Sequence, residues 1–333
     1  MVIFVTGAAG FIGYHVSKAL LARGEQILGV DNLNPYYDPG LKQARIAALE
    51  EEFGNAFTFL RADFADSAEL ASVVEGVDFE RLVHLGAQVG VRYGLVNPAS
   101  YVRSNGVGHL NILELARHRE LKHLVYASSS SVYGSNTSLP FRVEDRTDRP
   151  ISLYAATKKA DELMSESYSS LFRLPMTGLR FFTVYGPWGR PDMAVWLFTK
   201  AILSGEPLDL FNGGAMRRDF TYIDDVVAGV LACLDSPPVD DQQEKPGGSV
   251  SPHAVYNIGN HRSEELMELI GILEENLGRK ANTKVLPMQP GDVMDTFADI
   301  SAIRNDHGFE PKTSIREGVP RFTQWYKRYH ELD

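Results

Sequence analysis

The first 31 residues, MVIFVTGAAGFIGYHVSKALLARGEQILGVD, limit the fold more than any other stretch of the chain. "VIFVTG" is a short apolar, β-rich run ended by glycine. In "GFIGYHVSKALLARG" the apolar residues recur at helical spacing and stop at Gly24, and "QILGVD" reads as a second strand. Two strands joined through a helix must lie parallel, and a parallel sheet needs right-handed crossovers that cover both faces. The alternation continues through "FTFLRAD", "SAELASVVEG", "RLVHLGA", "NGVGHLNILELARHR", "HLVYASSS", a helix from about Ser152 to Leu171, and "MTGLRFF". This pattern predicts an α/β fold of the Rossmann type, a doubly wound parallel sheet spanning residues 1–180.

Beyond about Arg180 the alternation weakens into Gly- and Pro-rich loops, with helices such as "AVWLFTKAILSG" and "SEELMELIGILEENLG". Residues 181–333 are therefore expected to form a smaller C-terminal α/β lobe that binds substrate, with some exchange of segments between the two parts. The polar stretch Asp235–His253 is expected to be a mobile surface loop without chemistry. No repeat period stands out.

At 333 residues, with 44% hydrophobic and 23% charged residues, the chain has ample core-forming capacity. A formal net charge of -10 disfavours nucleic acid and anionic membrane surfaces, which call for basic patches. The single cysteine, Cys233, excludes an intramolecular disulfide and fits a reducing compartment. No apolar run reaches the ~18 residues of a membrane helix, and the N-terminus has no signal-peptide pattern. A cytoplasmic protein is expected. The histidines follow no metal-ligand spacing, so no metal is expected.

The glycines of "TGAAGFIG" sit at the turn from the first strand into the first helix. Gly7, Gly10 and Gly13 permit a tight turn, close approach of a pyrophosphate and helix–strand packing, and the helix N-terminus adds amide donors. Asp31, which ends the second strand, is placed to accept hydrogen bonds from adenosine ribose hydroxyls and to repel the extra phosphate of NADP, so NAD is the expected cofactor. Asp63 has two readings, an adenine contact or a helix N-cap before "SAEL".

In "SLYAATKK", Tyr154 and Lys158 stand four residues apart and project from one helix face. "YASSSSVYG" brings Ser129 to the end of a neighbouring strand. A free tyrosine titrates near pH 10, so acting as a base at neutral pH requires roughly 4 kcal/mol of help from Lys158 and a positive nicotinamide. Tyr154 would then take a proton from a sugar or alcohol hydroxyl while the hydride leaves, and Ser129 would steady the developing carbonyl.

TGAAGFIG, Asp31, the serine run, Y-x-x-x-K and "RDFTYIDD" resemble the extended short-chain dehydrogenase/reductase family of nucleotide-sugar enzymes over nearly the whole chain. Within it, "AQVGVRYGLVNPASYVRSN", "SLYAATKKADELM" and especially "LRFFTVYGPWGRPDMA" are similar to UDP-glucuronate 4-epimerases, which interconvert UDP-glucuronate and UDP-galacturonate. The resemblance implies tightly bound NAD and a homodimer. It places Phe11, Ile12, Asn32, Phe64, Leu85, Ala87, Gln88 and Asn105 around the cofactor. It also places Ser130 against the substrate, Thr183 and Arg190 at the uronate, Arg92 at the sugar or phosphates, Arg218 at the pyrophosphate and Asp292 at the uridine ribose. Arg190 has a competing reading as a surface ion pair with Asp192. "HLGAQ" carries Gly86 where alanine is expected, a change expected to be easily tolerated. Ser130 and Ser131 stand where related 4,6-dehydratases and UDP-glucuronate decarboxylases carry acids. A UDP-hexose 4-epimerase is the alternative, and a decarboxylase or a non-catalytic NAD-binding regulatory protein are further ones.

Overall fold

The computed structural model describes residues 1–287 and 294–332. Six strands lead the chain: β1 (Val2–Thr6), β2 (Gln26–Asp31), β3 (Phe57–Arg61), β4 (Arg81–His84), β5 (His123–Ser129) and β6 (Met176–Phe181). Then come β7 (Thr183–Tyr185), β8 (Pro207–Phe211), β9 (Arg217–Arg218), β10 (Phe220–Tyr222), β11 (His253–Ile258), β12 (Glu264–Glu265) and β13 (Asn282–Leu286). The helices are α1 (Phe11–Ala22), α2 (Pro39–Phe53), α3 (Ser67–Val74), α4 (Pro98–Tyr101), α5 (Gly108–His118) and α6 (Leu153–Phe172). They continue with α7 (Ala194–Ser204), α8 (Ile223–Asp235), α9 (Leu266–Leu277), α10 (Ser301–His307) and α11 (Ile315–Tyr329).

The main sheet has the order β3-β2-β1-β4-β5-β6-β11, with every pairing parallel. Its direction of winding reverses between β1 and β4, which opens a crevice beyond the carboxyl ends of those strands. Both faces are covered. In β1, Ile3 and Val5 join one buried cluster and Phe4 joins the other, the period-two alternation of a strand buried on both sides.

Three features depart from the sequence reading. The first is α2, a fifteen-residue helix between β2 and β3, opened by Asp38, whose side chain accepts from the Gly40 amide, and by Pro39 in its first turn. The second is β11, which brings the chain back to the sheet after residue 180 and pairs in register with β6, His253 against Met176 through Ile258 against Phe181. Third, the expected mobile stretch Asp235–His253 is anchored. Asp240 pairs with Arg173, Ser249 donates to Glu166 at 2.9 Å, Ser249 and Ser251 are buried, and His253 already belongs to β11.

The remaining strands form three small ladders, β7 with β10, β8 with β13 and β9 with β12. They stand with α7 and α9 on the far side of the crevice. No helix among the described residues is long and apolar enough to cross a membrane.

Candidate active site

A single cleft of about 810 Å³ runs from the glycine turn to Arg218. At its inner end β1 stops at Thr6 and Gly7 adopts φ +68°, a conformation that favours glycine. The Gly10 amide donates to the Gly7 carbonyl at 2.8 Å, and Gly10 caps α1. A Cβ at Gly7 would lie 2.7 Å from the Gly86 nitrogen, and one at Gly13 would lie 2.0 Å from the Gly7 oxygen. The turn therefore accepts only hydrogen at these positions. The first turn of α1 contains no acid, so its amide donors and positive dipole end face the cleft uncancelled. Such a cradle suits a dinucleotide pyrophosphate.

Asp31 lies at the end of β2 and lines the cleft. Its Oδ1 accepts from the Leu33 amide at 2.8 Å and from Lys42 Nζ at 2.9 Å, and both side chains of this ion pair are buried. The acid thus carries a counter-charge that the sequence reading missed, supplied by α2.

Phe11, Ile12, Leu85, Ala87 and Gln88 also line the cleft. Asn105 does not. It is buried behind the wall, where its Oδ1 accepts from the Gln88 amide at 2.8 Å and its Nδ2 donates to the Gln88 carbonyl and to Thr157. A π-helical turn, Val102–Val107, carries Asn105 into that position between β4 and α6.

Asn32 and Asp63 line a separate open groove of about 620 Å³ at the ends of β2 and β3. The cap of α3 is Asp66, which accepts from the Ala68 and Glu69 amides, so Asp63 is not the N-cap. Asp63 instead turns onto the Ala65 amide at 3.0 Å and pairs with Arg103 at 3.0 Å. Phe64 is buried and lines neither opening, and the backbones of Gly86 and Gly108 leave room for its ring. A Cβ at Gly86 would sit 2.5 Å from Phe64 Cε1, and one at Gly108 would sit 2.4 Å from Cε2. Alanine at residue 86 is therefore not freely exchangeable with glycine in this chain, contrary to the sequence expectation.

α6 is capped by Ser152, whose hydroxyl accepts from the Ala155 amide at 3.1 Å, and within its first two turns it presents Tyr154 and Lys158 to the cleft. Lys158 is buried, and its Nζ donates to the Ala127 carbonyl and to Asp161 Oδ2, each at 3.1 Å. Asp161 is pushed up to about 6 by burial, against the opposing effect of the lysine. Ser129 ends β5, and its oxygen accepts from the Ser131 amide at 3.1 Å, which uses a lone pair rather than the hydroxyl proton. Ser130 and Ser131 line the same wall.

Behind this wall, Arg180 of β6 grips Glu162 of α6 through bonds of 2.8 and 3.0 Å, and Ser128 donates to the same carboxylate at 2.6 Å. Burial would raise the Glu162 carboxyl, but Arg180, Lys159 and Ser128 hold it at about 2. Strand end and helix are thus fixed to each other one turn from Lys158.

Thr183, Arg190, Arg92 and Arg218 also line the cleft. Arg92 lies over the Phe211 ring at 5.2 Å, and Arg218 donates to the carbonyls of Arg217 and Met294. Arg190 makes the ion pair with Asp192 that one sequence reading expected, but the pair is mostly buried and lines the cleft rather than lying on the surface. Asp292 lies outside the described residues.

Residues 3–259 match the model of the NAD dependent epimerase/dehydratase family. A probable UDP-glucuronate 4-epimerase of Rhizobium meliloti is 47% identical over 328 residues, covering 97% of this chain and 96% of that protein. The crystal structure of UDP-glucuronic acid 4-epimerase from Bacillus cereus with UDP-glucuronic acid and NAD superimposes with a TM-score of 0.86 at 32% identity, over 99% of this chain and 100% of that one. A UDP-glucose 4-epimerase from Thermotoga maritima reaches the same TM-score of 0.86 at 28% identity, over 99% and 100% of the two chains. Backbone similarity therefore does not separate uronate from neutral sugar. The side chains of the cleft must do so.

Proposed function

Because the chain belongs to the NAD dependent epimerase/dehydratase family, we propose that it is an NAD-dependent UDP-glucuronate 4-epimerase, interconverting UDP-glucuronate and UDP-galacturonate through a 4-keto-hexuronate. The observation that carries this reading is the meeting, in one cleft, of Tyr154, Lys158 and Ser129 with Thr183 and Arg190, while serines occupy positions 130 and 131. A guanidinium and a hydroxyl suit a sugar carboxylate, and the serine wall offers no acid for elimination or decarboxylation. Residues 1–180 would chiefly hold the cofactor and the catalytic trio, and residues 181–333 the UDP-sugar, with Arg218 at the pyrophosphate and Arg92 nearby.

The glycine cradle, the open α1 N-terminus and Asp31 fit NAD, which supplies hydride acceptance and return at carbon 4. Tyr154 takes the proton of the carbon-4 hydroxyl. Lys158, held in place by Ala127 and Asp161, favours the phenolate by its charge. Ser129 donates to the oxygen that becomes the carbonyl. After the sugar turns over, Tyr154 returns the proton on the other face. Meanwhile Arg190 and Thr183 restrain the carboxylate, because a β-keto acid loses carbon dioxide when the bond to its carboxylate stands perpendicular to the carbonyl plane.

The test is to incubate the enzyme with UDP-glucuronate and, separately, with UDP-glucose, and to resolve the epimers by chromatography. UDP-galacturonate is the expected product of the first reaction. Turnover of UDP-glucose alone would transfer the assignment to a UDP-hexose 4-epimerase.

Asp31→Ala is expected to weaken NAD binding at least about tenfold, the loss of a hydrogen bond to a charged group. It should also narrow the preference over NADP, since it leaves the buried Lys42 ammonium beside the ribose without its acid. Titration of the cofactor-free protein with both nucleotides measures this, and an unchanged preference would remove Asp31 from the site.

The working unit would be a homodimer. The neighbouring helices α5 and α6 and the turn before α5 expose Val107, Leu110, Leu163 and Leu171, at 46, 39, 59 and 70%. Sedimentation should give twice the chain mass of 37.0 kDa. A monomer at micromolar concentration would exclude this arrangement. The lone, buried Cys233 supports a reducing compartment such as the cytoplasm.

A further inference from the structure

Arg190 is held by an acid of its own loop, and that loop is tied to the segment running from β2 into α2. The Arg190 Nε donates to Asp192 Oδ1 at 3.0 Å and its Nη2 to Asp192 Oδ2 at 2.5 Å, a bidentate pair. Asp192 Oδ2 also accepts from Tyr36 Oη at 3.0 Å. Tyr36 belongs to the connection between β2 and α2, on the cofactor side. Its hydroxyl fills the space that a side chain at residue 90 would need. Gly90 has φ +93°, and a Cβ there would lie 2.1 Å from Tyr36 Oη. The Tyr36 ring packs against Tyr93 at 5.1 Å. A second tie runs the same way, since Arg45 of α2 donates to the carbonyls of Trp188 and Gly189 just before Arg190. One segment, from Asp31 to Arg45, thus carries the cofactor-facing acid and grips the loop that bears the uronate-facing arginine.

The protonation states suit this arrangement. Burial pushes the Tyr36 phenol up, so it remains a donor. Against the effect of burial, Arg190 and the Tyr36 hydrogen bond hold the Asp192 carboxyl below the usual carboxylate range.

We propose that Asp192, locked by Tyr36, is a positioning residue that decides which edge of Arg190 meets the substrate carboxylate, and thereby the partition between epimerisation and loss of carbon dioxide. This rests on the carboxylate-clamp reading of Arg190. A guanidinium has five N–H donors. Asp192 occupies the Nε/Nη2 edge, so the Nη1/Nη2 edge is the one left to offer a parallel pair of bonds to a second carboxylate. Without Asp192 both edges compete, and the uronate carboxylate gains a second seat with a different tilt. In the 4-keto state a seat that sets the bond between carbons 5 and 6 perpendicular to the carbonyl plane allows that bond to break. Carbon dioxide leaves, its bonding pair enters the enolate over carbons 5 and 4, and a proton is taken up at carbon 5. The product is a UDP-4-keto-pentose, and the hydride removed at carbon 4 stays with the enzyme.

The experiment compares wild type, Asp192→Asn and Tyr36→Phe as NAD-loaded enzymes on UDP-glucuronate, measuring kcat, KM and pentose formed per hexuronate epimerised by mass spectrometry. For Asp192→Asn a fall of about tenfold in kcat is expected, with KM within about threefold of wild type and pentose per epimer raised about tenfold or more. Tyr36→Phe should move the same quantities in the same direction by about threefold, the worth of one neutral hydrogen bond. A structural defect lowers turnover without changing the partition, so a wild-type partition in Asp192→Asn overturns the proposal whatever its rate. Should Asp192→Asn lose its fold by circular dichroism, Tyr36→Phe decides on the same criterion, since it deletes a single oxygen. A wild-type enzyme that forms no UDP-galacturonate removes the function itself, an outcome visible before any variant is compared.

Discussion

Tyr154→Phe is expected to abolish measurable epimerisation, a loss of about 10²- to 10⁴-fold for removal of a general base, while the protein keeps its NAD. The substitution deletes one oxygen and leaves the ring, whose centroid lies 6.2 Å from that of the buried Tyr101. It does not release Lys158, whose ammonium is fixed by Ala127 and Asp161 rather than by the phenol. The glycine turn and Asp31 lie on other elements, so the cofactor cradle is untouched. Two measurements check this together: chromatographic assay of UDP-galacturonate, and the NAD content released on denaturing the purified variant. Near-normal turnover would mean that another group takes the proton. Lost turnover together with lost NAD would mean that Tyr154 supports the cofactor site rather than the chemistry.

The parts of this site that were legible in sequence are those whose geometry is local. Tyr154 and Lys158 share a helix face because they are four residues apart, and Gly7, Gly10 and Gly13 announce a turn because strand and helix periods meet there. Residues that act through distant partners were not legible. Lys42 and Arg45 lie on α2, whose start was signalled by Asp38-Pro39, yet nothing local says that they reach Asp31 or the carbonyls of Trp188 and Gly189. Tyr36 meets Asp192 across 156 positions of chain. The Gly86 and Phe64 pairing is likewise a matter of shape between two elements, so glycine at residue 86 could be noticed but not explained. In β11, "HAVYNI" is short and apolar with polar residues at His253 and Asn257, and it follows a long polar stretch. Its six buried residues make sense only beside β6.

Arg190→Ala is expected to lose roughly ten- to a hundredfold in kcat/KM on UDP-glucuronate, the equivalent of about 1.5 to 3 kcal/mol for a charge-assisted hydrogen bond. Neutral UDP-hexoses, which have no carboxylate to grip, should lose much less. The ion pair with Asp192 does not make Arg190 a surface residue, because both side chains are mostly buried, at 22 and 28% exposure, in the lining of the cleft that also holds Tyr154. Burial opposes the charge of Arg190, but Asp192 and Tyr36 push its ionisation further up, so Arg190 remains cationic at every working pH. Removing it leaves Asp192 as an uncompensated carboxylate near the incoming uronate, which adds repulsion to the lost bond. Arg190→Ala should therefore show both a raised KM and a leak of carbon dioxide with UDP-4-keto-pentose, whereas Asp192→Asn should show the leak with KM little changed. Retention of full activity on UDP-glucuronate by Arg190→Ala, with no pentose detected, would place the carboxylate clamp elsewhere in the cleft.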